Sequence, residues 1–316
     1  MPSKIRFELS LQAAQEICHK YNLEEPKEVV RVEKGMTNDV FSLNDKYMVK
    51  IATFYADLVD LSKEQAVYGW LKEAKVPCPK VLGLDRSKQI LPYCYLVLEK
   101  VRGLPLDDCW PSLSAESRAN LITEIGNILA KIHSIQFPVF GECLWGGGFV
   151  GPLGYKEFLQ RDVKIILDKI AKENLLSTDL QQKISVFFSR TTLFDLNVRG
   201  SLTHLGYNFS DFIVEGGKVT GVIDWEWARS AHHEEDLALF FYRMLHMDPG
   251  LISKFREAYE KTHKLDKAFE KRLLVYNFLY YLRGLYHTLC WSHRPDKQRE
   301  YLREVEKLAG WVLGND

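Results

Sequence analysis

Apolar residues recur at helical spacing in LSLQAAQEICHKY, which predicts a helix over residues 9–21. The next stretch, EVVRVEKGMTNDVFSLNDKYMVKIA (28–52), alternates apolar and polar positions. Turn signals at Lys34-Gly35 and Asn44-Asp45 divide it into strand, turn, strand, turn, strand. Helical spacing returns in DLSKEQAVYGWLKEAK (60–75), with Ser62 as N-cap and Leu61, Ala66, Val67, Trp70, Leu71 and Ala74 as an approximate apolar face. VPCPKVLGLD (76–85) is a proline-bounded strand entry, and QILPYCYLVLEKVRG (89–103) contains a buried strand, Tyr95 to Leu98, that ends at Glu99.

From SAESRANLITEIGNILAKIHSI (114–135) onward the pattern is mainly helical, and Ser114 with Glu116 behind it marks that helix start. The exception is 201–228, SLTHLGYNFSDFIVEGGKVTGVIDWEWA, which reads as a loop, a strand, a Gly-Gly turn, a strand, and a second loop bearing Asp224. The pattern predicts an α+β fold in two parts: a small antiparallel β lobe over 1–100 and a larger mainly helical lobe over 101–316. A cleft between them is expected, with the crossing near residue 100.

Composition narrows the classes. The 316 residues have a formal net charge of zero, so no global field recruits nucleic acid or an anionic membrane. The apolar run LLVYNFLYYLRGLYHTLCW (273–291) is interrupted by Asn277, Arg283 and His287, so it reads as a buried helix rather than a membrane span. The beginning of the chain lacks the apolar core of a signal peptide. The six cysteines are scattered without a C-x-x-C pair, which fits reduced thiols and a cytoplasmic location. LWGGGFVGPLGY (144–155) is glycine-rich but lacks the Lys-Ser or Lys-Thr of a P-loop, and an ordinary loop or acceptor-site rim is favoured.

Four features carry possible chemistry. A turn with Gly35 can lay backbone N–H groups against a phosphate, although a plain hairpin is the favoured account of a lone glycine. Lys50, between Val49 and Ile51, presents an ammonium that can meet phosphates, or it is a solvated strand residue. Glu64, on the following helix, can supply its counter-charge. Asp224 at a strand end can hold Mg²⁺ between phosphate oxygens. Trp225 and Trp227 are expected in the core, and Asp236 before an apolar run can be an N-cap.

The order and spacing of these segments, with KEQAVYGWLKEAKVPCPKVLGLD, YLVLEKVRGLPL, EIGNILAKIHSI and EDLALF, resemble the aminoglycoside phosphotransferase and choline kinase-like family, small-molecule relatives of the protein kinases. The resemblance covers most of the chain. It implies a bilobal protein-kinase-like fold, ATP or GTP with Mg²⁺ as cofactors, and a small-molecule hydroxyl acceptor, with no nucleic acid or membrane partner and a monomer or homodimer. By it, Lys50 would hold the α- and β-phosphates and Glu64 would pair with it. Glu99 to Val101 would form the adenine hinge, Asp224 would bind Mg²⁺, and Asp236 would support the catalytic loop.

That loop departs from the family pattern H-G-D-x-x-x-x-N. His204 falls on the His, Leu205 on the Gly, Gly206 on the catalytic Asp and Asp211 on the metal-binding Asn. His204 would give loop support, Asp211 would still bind Mg²⁺, and the base would be missing at Gly206. Three readings stay open: a phosphotransferase with a rearranged site, a pseudokinase that binds nucleotide or a partner without transfer, and a kinase whose loop was altered deliberately. Acidic residues could recognise a cationic acceptor such as an aminoglycoside or choline. Glu226, Glu234 and Glu235 are candidates, the last two equally readable as solvated surface.

Overall fold

The structure is a computed structural model and describes residues 7–33, 38–53, 61–141, 154–292 and 294–314. Gly35 and nearly all of the glycine-rich stretch (144–153) lie outside the described residues. In chain order the elements are α1 (Leu11–Lys20), β1 (Val29–Val32), β2 (Asp39–Leu43), β3 (Tyr47–Ile51), α2 (Leu61–Glu73), β4 (Val81–Asp85), β5 (Tyr95–Glu99), β6 (Leu104–Pro105) and α3 (Leu106–Cys109). Then come α4 (Ala115–His133), β7 (Gln136–Phe137), α5 (Tyr155–Lys172), α6 (Thr178–Arg190), β8 (Gly200–Thr203), β9 (Phe212–Glu215) and β10 (Lys218–Val222). The chain closes with β11 (Arg229–Ala231), α7 (Glu234–Met247), α8 (Ile252–Tyr259), α9 (Phe269–His287) and α10 (Pro295–Leu313). It divides into two compact units, residues 1–121 with 209–227, and residues 122–208 with 228–316.

The first unit is built on a five-stranded sheet in the order β1-β2-β3-β5-β4, antiparallel throughout. Asn44 (φ 53°) and Asp45 (φ 55°) turn the β2–β3 hairpin, and the Lys46 N–H donates to the Leu43 carbonyl at 3.0 Å. Both side chains tolerate the left-handed region that such a turn needs. Ser10 caps α1 by accepting from the Ala13 N–H at 3.1 Å. Ala14, Ile17 and Cys18 of α1 then pack into a core with Phe41, Leu43, Val49 and Val97. Burying such a side chain contributes about 1.5–3 kcal/mol.

A second small sheet, β10-β9-β6, completes this unit. Gly216 (φ 57°) and Gly217 (φ 76°) form its hairpin turn, as the Gly-Gly signal predicts. Pairing of β6 with β9 explains why 209–227 belongs to the first unit. The chain passes between the units at 121–122, 208–209 and 227–228. Gly221 is required by close packing, since a Cβ there would stand 2.8 Å from Val101 Cγ1.

The second unit holds the three-stranded sheet β11-β8-β7 and helices α5 to α10, with a core running through α5, α6, α9 and α10. The apolar run after residue 269 is the buried helix expected, and no helix among the described residues is long and apolar enough to cross a membrane. Arg283, which interrupts the run, is neutralised by Asp162 (2.7 Å) and Glu235 (2.6 Å). Ser114 caps α4 as expected, accepting from the Ser117 N–H at 3.1 Å.

Four local expectations change. Ser62 lies inside α2 rather than at its cap. Trp227 is 41 % exposed, so of the tryptophan pair only Trp225 packs in the core. Glu234 and Glu235 are buried, not solvated. Arg272 grips both oxygens of Glu234 at 2.6 and 2.7 Å, and Glu235 accepts from the Tyr155 hydroxyl at 2.5 Å and from Arg229 and Arg283. A buried carboxylate persists only with such partners.

The Gly221–Val101 contact gives a test. Gly221→Ala should cost about 1–3 kcal/mol in urea unfolding by overpacking. Adding Val101→Ala should recover part of that loss, so the two substitutions are non-additive; additivity would show that the contact carries no strain.

Candidate functional site

In the first unit the site is organised around a buried ammonium. Lys50 lies in the middle of the sheet on β3, opposite Val40 and Leu96, and is 7 % exposed. Strand alternation turns it to the face opposite Val49 and Ile51, both fully buried. Its Nζ is 2.8 Å from Glu64 Oε2, 2.9 Å from Asp224 Oδ1 and 3.8 Å from Glu226 Oε2. Burial alone would lower the Lys50 pKa, but Asp224, Glu64 and Glu226 outweigh it and hold the ammonium well above its ordinary value.

Glu64 is 2 % exposed and sits on the buried face of α2 with Leu61, Val67, Tyr68 and Leu71. Apolar periodicity could not place it, because a glutamate on that face is tolerated only through Lys50. The hydroxyl of Tyr68, one turn later, donates to Glu64 Oε1 at 2.9 Å. Sequence reasoning missed Tyr68, although its i+4 spacing from Glu64 was a usable signal.

Asp224 follows β10 at φ 68°, a left-handed position that aspartate adopts more readily than most residues, and its side chain is half exposed. The Ile223 N–H donates to the Asp211 carbonyl at 2.9 Å, so Asp211 is joined to the residue preceding Asp224. Asp211 is 6 % exposed, and its Oδ1 lies 3.4 Å from the Ser210 hydroxyl. Asp224 offers a hard oxygen donor beside the buried cation, and Asp211, bonded through its carbonyl to Ile223, offers a second carboxylate, which is the chemistry that a magnesium nucleotide requires. The residues present therefore fit that group.

Glu226 faces Lys50 and accepts from Asn38 Nδ2 at 2.6 Å. Asn38 is a second residue that sequence reasoning missed, although it lies within the quoted turn segment. Glu99 closes β5, its N–H donating to the Lys80 carbonyl at 2.8 Å, and Val101 follows two residues on, against Gly221.

The loop after β8 belongs to the second unit. Asp236, fully buried in the first turn of α7, accepts from the His204 N–H at 2.8 Å and the Leu205 N–H at 2.7 Å. It does not cap its own helix. His133 Nε2 lies 3.2 Å from Asp236, and His133 Nδ1 meets the Tyr259 hydroxyl at 2.7 Å. Leu205 has φ 60°, at the position where the family motif carries glycine. That conformation costs a leucine about 1–2 kcal/mol and persists because Asp236 fixes the Leu205 N–H and the His204 N–H before it. The His204 ring stacks on Tyr207 at 4.2 Å, and Asn208 Nδ2 donates to the Gly206 carbonyl at 3.1 Å. The loop backbone is held, but position 206 has no side chain to move a proton.

Burial pushes the Asp236 carboxyl up to about 7, against the opposing pull of the His204 and Leu205 N–H groups. Between its unfolded value near 3.9 and about 7, the folded chain holds this proton more tightly than the unfolded chain. The stability from this group is therefore full at low pH and is lost as pH rises through that window. Buried His133, His232 and His233 have pKa values well below the usual one and give the opposite slope. Comparing the parent with Asp236→Asn separates the two. The parent should lose stability relative to the variant between about pH 4 and pH 7, by at most about 4 kcal/mol. A pH-independent difference in chemical unfolding would contradict it.

Comparison with known proteins now adds to this geometry. A family model described as "Phosphotransferase enzyme family" matches residues 28–270. Among solved structures, the ADP-bound aminoglycoside phosphotransferase APH(2'')-Ib is 16 % identical, with TM-score 0.70, covering 96 % of this chain and 99 % of its own. A streptomycin–ATP–APH(2'')-IIa ternary complex is 17 % identical, with TM-score 0.71 and coverage of 97 % and 99 %. The GDP complex of aminoglycoside 2'-phosphotransferase-IIIa is 14 % identical, with TM-score 0.71 and coverage of 96 % and 99 %. At these identities the likeness carries the fold, a small antiparallel sheet part with a larger helical part. No curated protein sequence matches the chain.

Proposed function

The chain belongs to the phosphotransferase enzyme family, and from that premise we propose that it binds a magnesium nucleoside triphosphate, ATP or GTP, beside Lys50, and that its transfer to a small-molecule hydroxyl is slowed by glycine at position 206. The observation that carries the reading is the buried Lys50 ammonium with Glu64 at 2.8 Å and Asp224 at 2.9 Å.

Each residue then has a defined task. Lys50 binds α- and β-phosphate oxygens as a point charge. Glu64, held by Tyr68, fixes the lysine. Asp224 and Asp211 are the residues that would hold Mg²⁺, which when bound neutralises charge on the phosphates. Backbone groups of Glu99 and Val101 meet the base. Asp236 holds the His204–Leu205 backbone. The solved relatives include complexes with ADP, ATP and GDP, which supports nucleotide binding and leaves both bases open.

Phosphoryl transfer relies mainly on positioning and charge stabilisation. A missing base lowers the rate by about 10²–10⁴-fold without removing nucleotide binding. The same absence of a side chain at Gly206 favours a second reading, a pseudokinase that binds nucleotide without transfer. The acceptor class proposed is an amino-alcohol or sugar-like hydroxyl compound, aminoglycosides included.

Two measurements test this. Mg-ATP or Mg-GTP should raise the melting temperature of the chain, and Lys50→Met should abolish the shift; no shift with either nucleotide removes the nucleotide reading. Gly206→Asp combined with Asp211→Asn should raise turnover on a panel of amino and hydroxyl acceptors by about 10²–10⁴-fold. An unmodified chain that equals the double variant shows that Gly206 is no defect. Turnover absent before the substitution and present after it favours the pseudokinase reading.

A further inference from the structure

The hydrogen bonds behind Asp236 form a chain that ends on a second histidine. His133 Nε2 lies 3.2 Å from Asp236 Oδ2, and His133 Nδ1 lies 2.7 Å from the Tyr259 hydroxyl. The same hydroxyl lies 2.8 Å from His233 Nδ1. Asp236, His133 and Tyr259 are fully buried, and His233 is the least buried of the four. Helix α4 ends on His133 and α8 on Tyr259, while His233 and Asp236 stand at the start of α7.

The hydrogens available restrict how this chain can be arranged. Burial, with Asp236 and Glu234 nearby, pushes the Tyr259 hydroxyl well above its ordinary value, so it keeps its hydrogen. Burial also keeps His133 and His233 neutral, each with hydrogen on one ring nitrogen. A hydroxyl between two ring nitrogens donates to one and accepts from the other. Only one of His133 and His233 can therefore carry its hydrogen on Nδ1.

Asp236 selects which one. An ionised carboxylate only accepts, so His133 donates from Nε2 and leaves Nδ1 bare. Tyr259 then donates to His133, and His233 donates to Tyr259 from Nδ1. A proton added to the His133–Asp236 pair reverses this order. Whether it rests on Asp236 Oδ2 or on His133, His133 Nδ1 then carries hydrogen, and Tyr259 must donate to His233 instead. Charge and hydrogens balance when one proton enters at His233 Nε2. The His233 Nδ1 hydrogen passes to the Tyr259 oxygen, and the Tyr259 hydrogen passes to His133 Nδ1.

The neighbouring titratable groups are committed elsewhere. His263, 5.1 Å from the His233 ring and 6.4 Å from the His133 ring, donates from Nε2 to the Ala130 carbonyl at 2.9 Å. His232, 4.6 Å from the His233 ring, meets the Tyr276 hydroxyl at 2.7 Å. Glu234 is gripped by Arg272, and Glu235 by Tyr155, Arg229 and Arg283. His204 meets Asp236 through its backbone N–H.

We propose that Tyr259 is a positioning residue: its single hydroxyl hydrogen ties the tautomer of His233 to the proton state of the His133–Asp236 pair, and so to the bonds with which Asp236 holds the His204–Leu205 backbone. The coupling is reciprocal. Hydrogen on His233 Nδ1 favours the ionised carboxylate, which binds those N–H groups more strongly than the neutral acid.

Nitrogen NMR of the full chain with isotope-labelled histidine tests it between about pH 9 and about pH 5.5. At high pH, His133 should carry hydrogen on Nε2 and His233 on Nδ1. As pH falls, His133 should gain hydrogen on Nδ1 while the His233 hydrogen moves to Nε2. Both changes should share a midpoint of about 7 with the amide shifts of His204 and Leu205. Tyr259→Phe fills the same space without the hydroxyl, and the His233 tautomer should then stop following the two amides. Asp236→Asn should abolish the switch in both rings. Hydrogen on the same position in both rings at high pH overturns the inference. So do separate midpoints, no switch in this range, a His233 switch that survives Tyr259→Phe, or a switch that survives Asp236→Asn. If Tyr259→Phe does not fold, the unmodified chain and Asp236→Asn still decide it. No nucleotide enters the test, so the reading of Lys50 stands or falls separately.

Discussion

A charged amine inside a sheet is stable only where carboxylates reach it, and Lys50 imposes that constraint on much of the first unit. It requires an acid on the helix packed beside the sheet, which accounts for Glu64 on an otherwise apolar face of α2. It also draws in the segment after β10, because Asp224 and Glu226 both turn toward the ammonium. The pairing of β6 with β9 and the fit of Gly221 against Val101 hold that segment in this unit. The lysine is therefore the charge about which the local architecture is arranged.

A second buried charge plays the corresponding part in the other unit. Asp236 fixes two consecutive backbone N–H groups and thereby keeps Leu205 in a conformation that a leucine resists. The loop that carries Gly206 thus retains a defined backbone while lacking the carboxylate. Around Asp236, the His133–Tyr259 pair and the Glu234–Arg272 and Glu235–Arg283 ion pairs leave these buried carboxylates partnered.

Local signals determined more of the fold than of the site. The hairpins at Asn44-Asp45 and Gly216-Gly217, the cap at Ser114, the strand Tyr95–Glu99 and the buried helix after residue 269 were all legible, because turn chemistry, capping and periodicity act over a few residues. Lys50, Glu64 and Asp224 were recognisable as candidates only through their order along the chain and its likeness to a family. Periodicity alone would have set Glu64 on the surface.

What the sequence by itself determined was the succession of elements, the identity of the charged groups and the absence of a carboxylate at Gly206. Tertiary structure decided which charges meet. It set Glu226 beside Lys50, brought Asn38 to Glu226 across 188 residues, and buried Glu234 and Glu235 against arginines that no local pattern links to them. The physical reason is that the cost of burying a charge depends on its partners in space, and those partners lie far beyond the reach of helical or strand spacing.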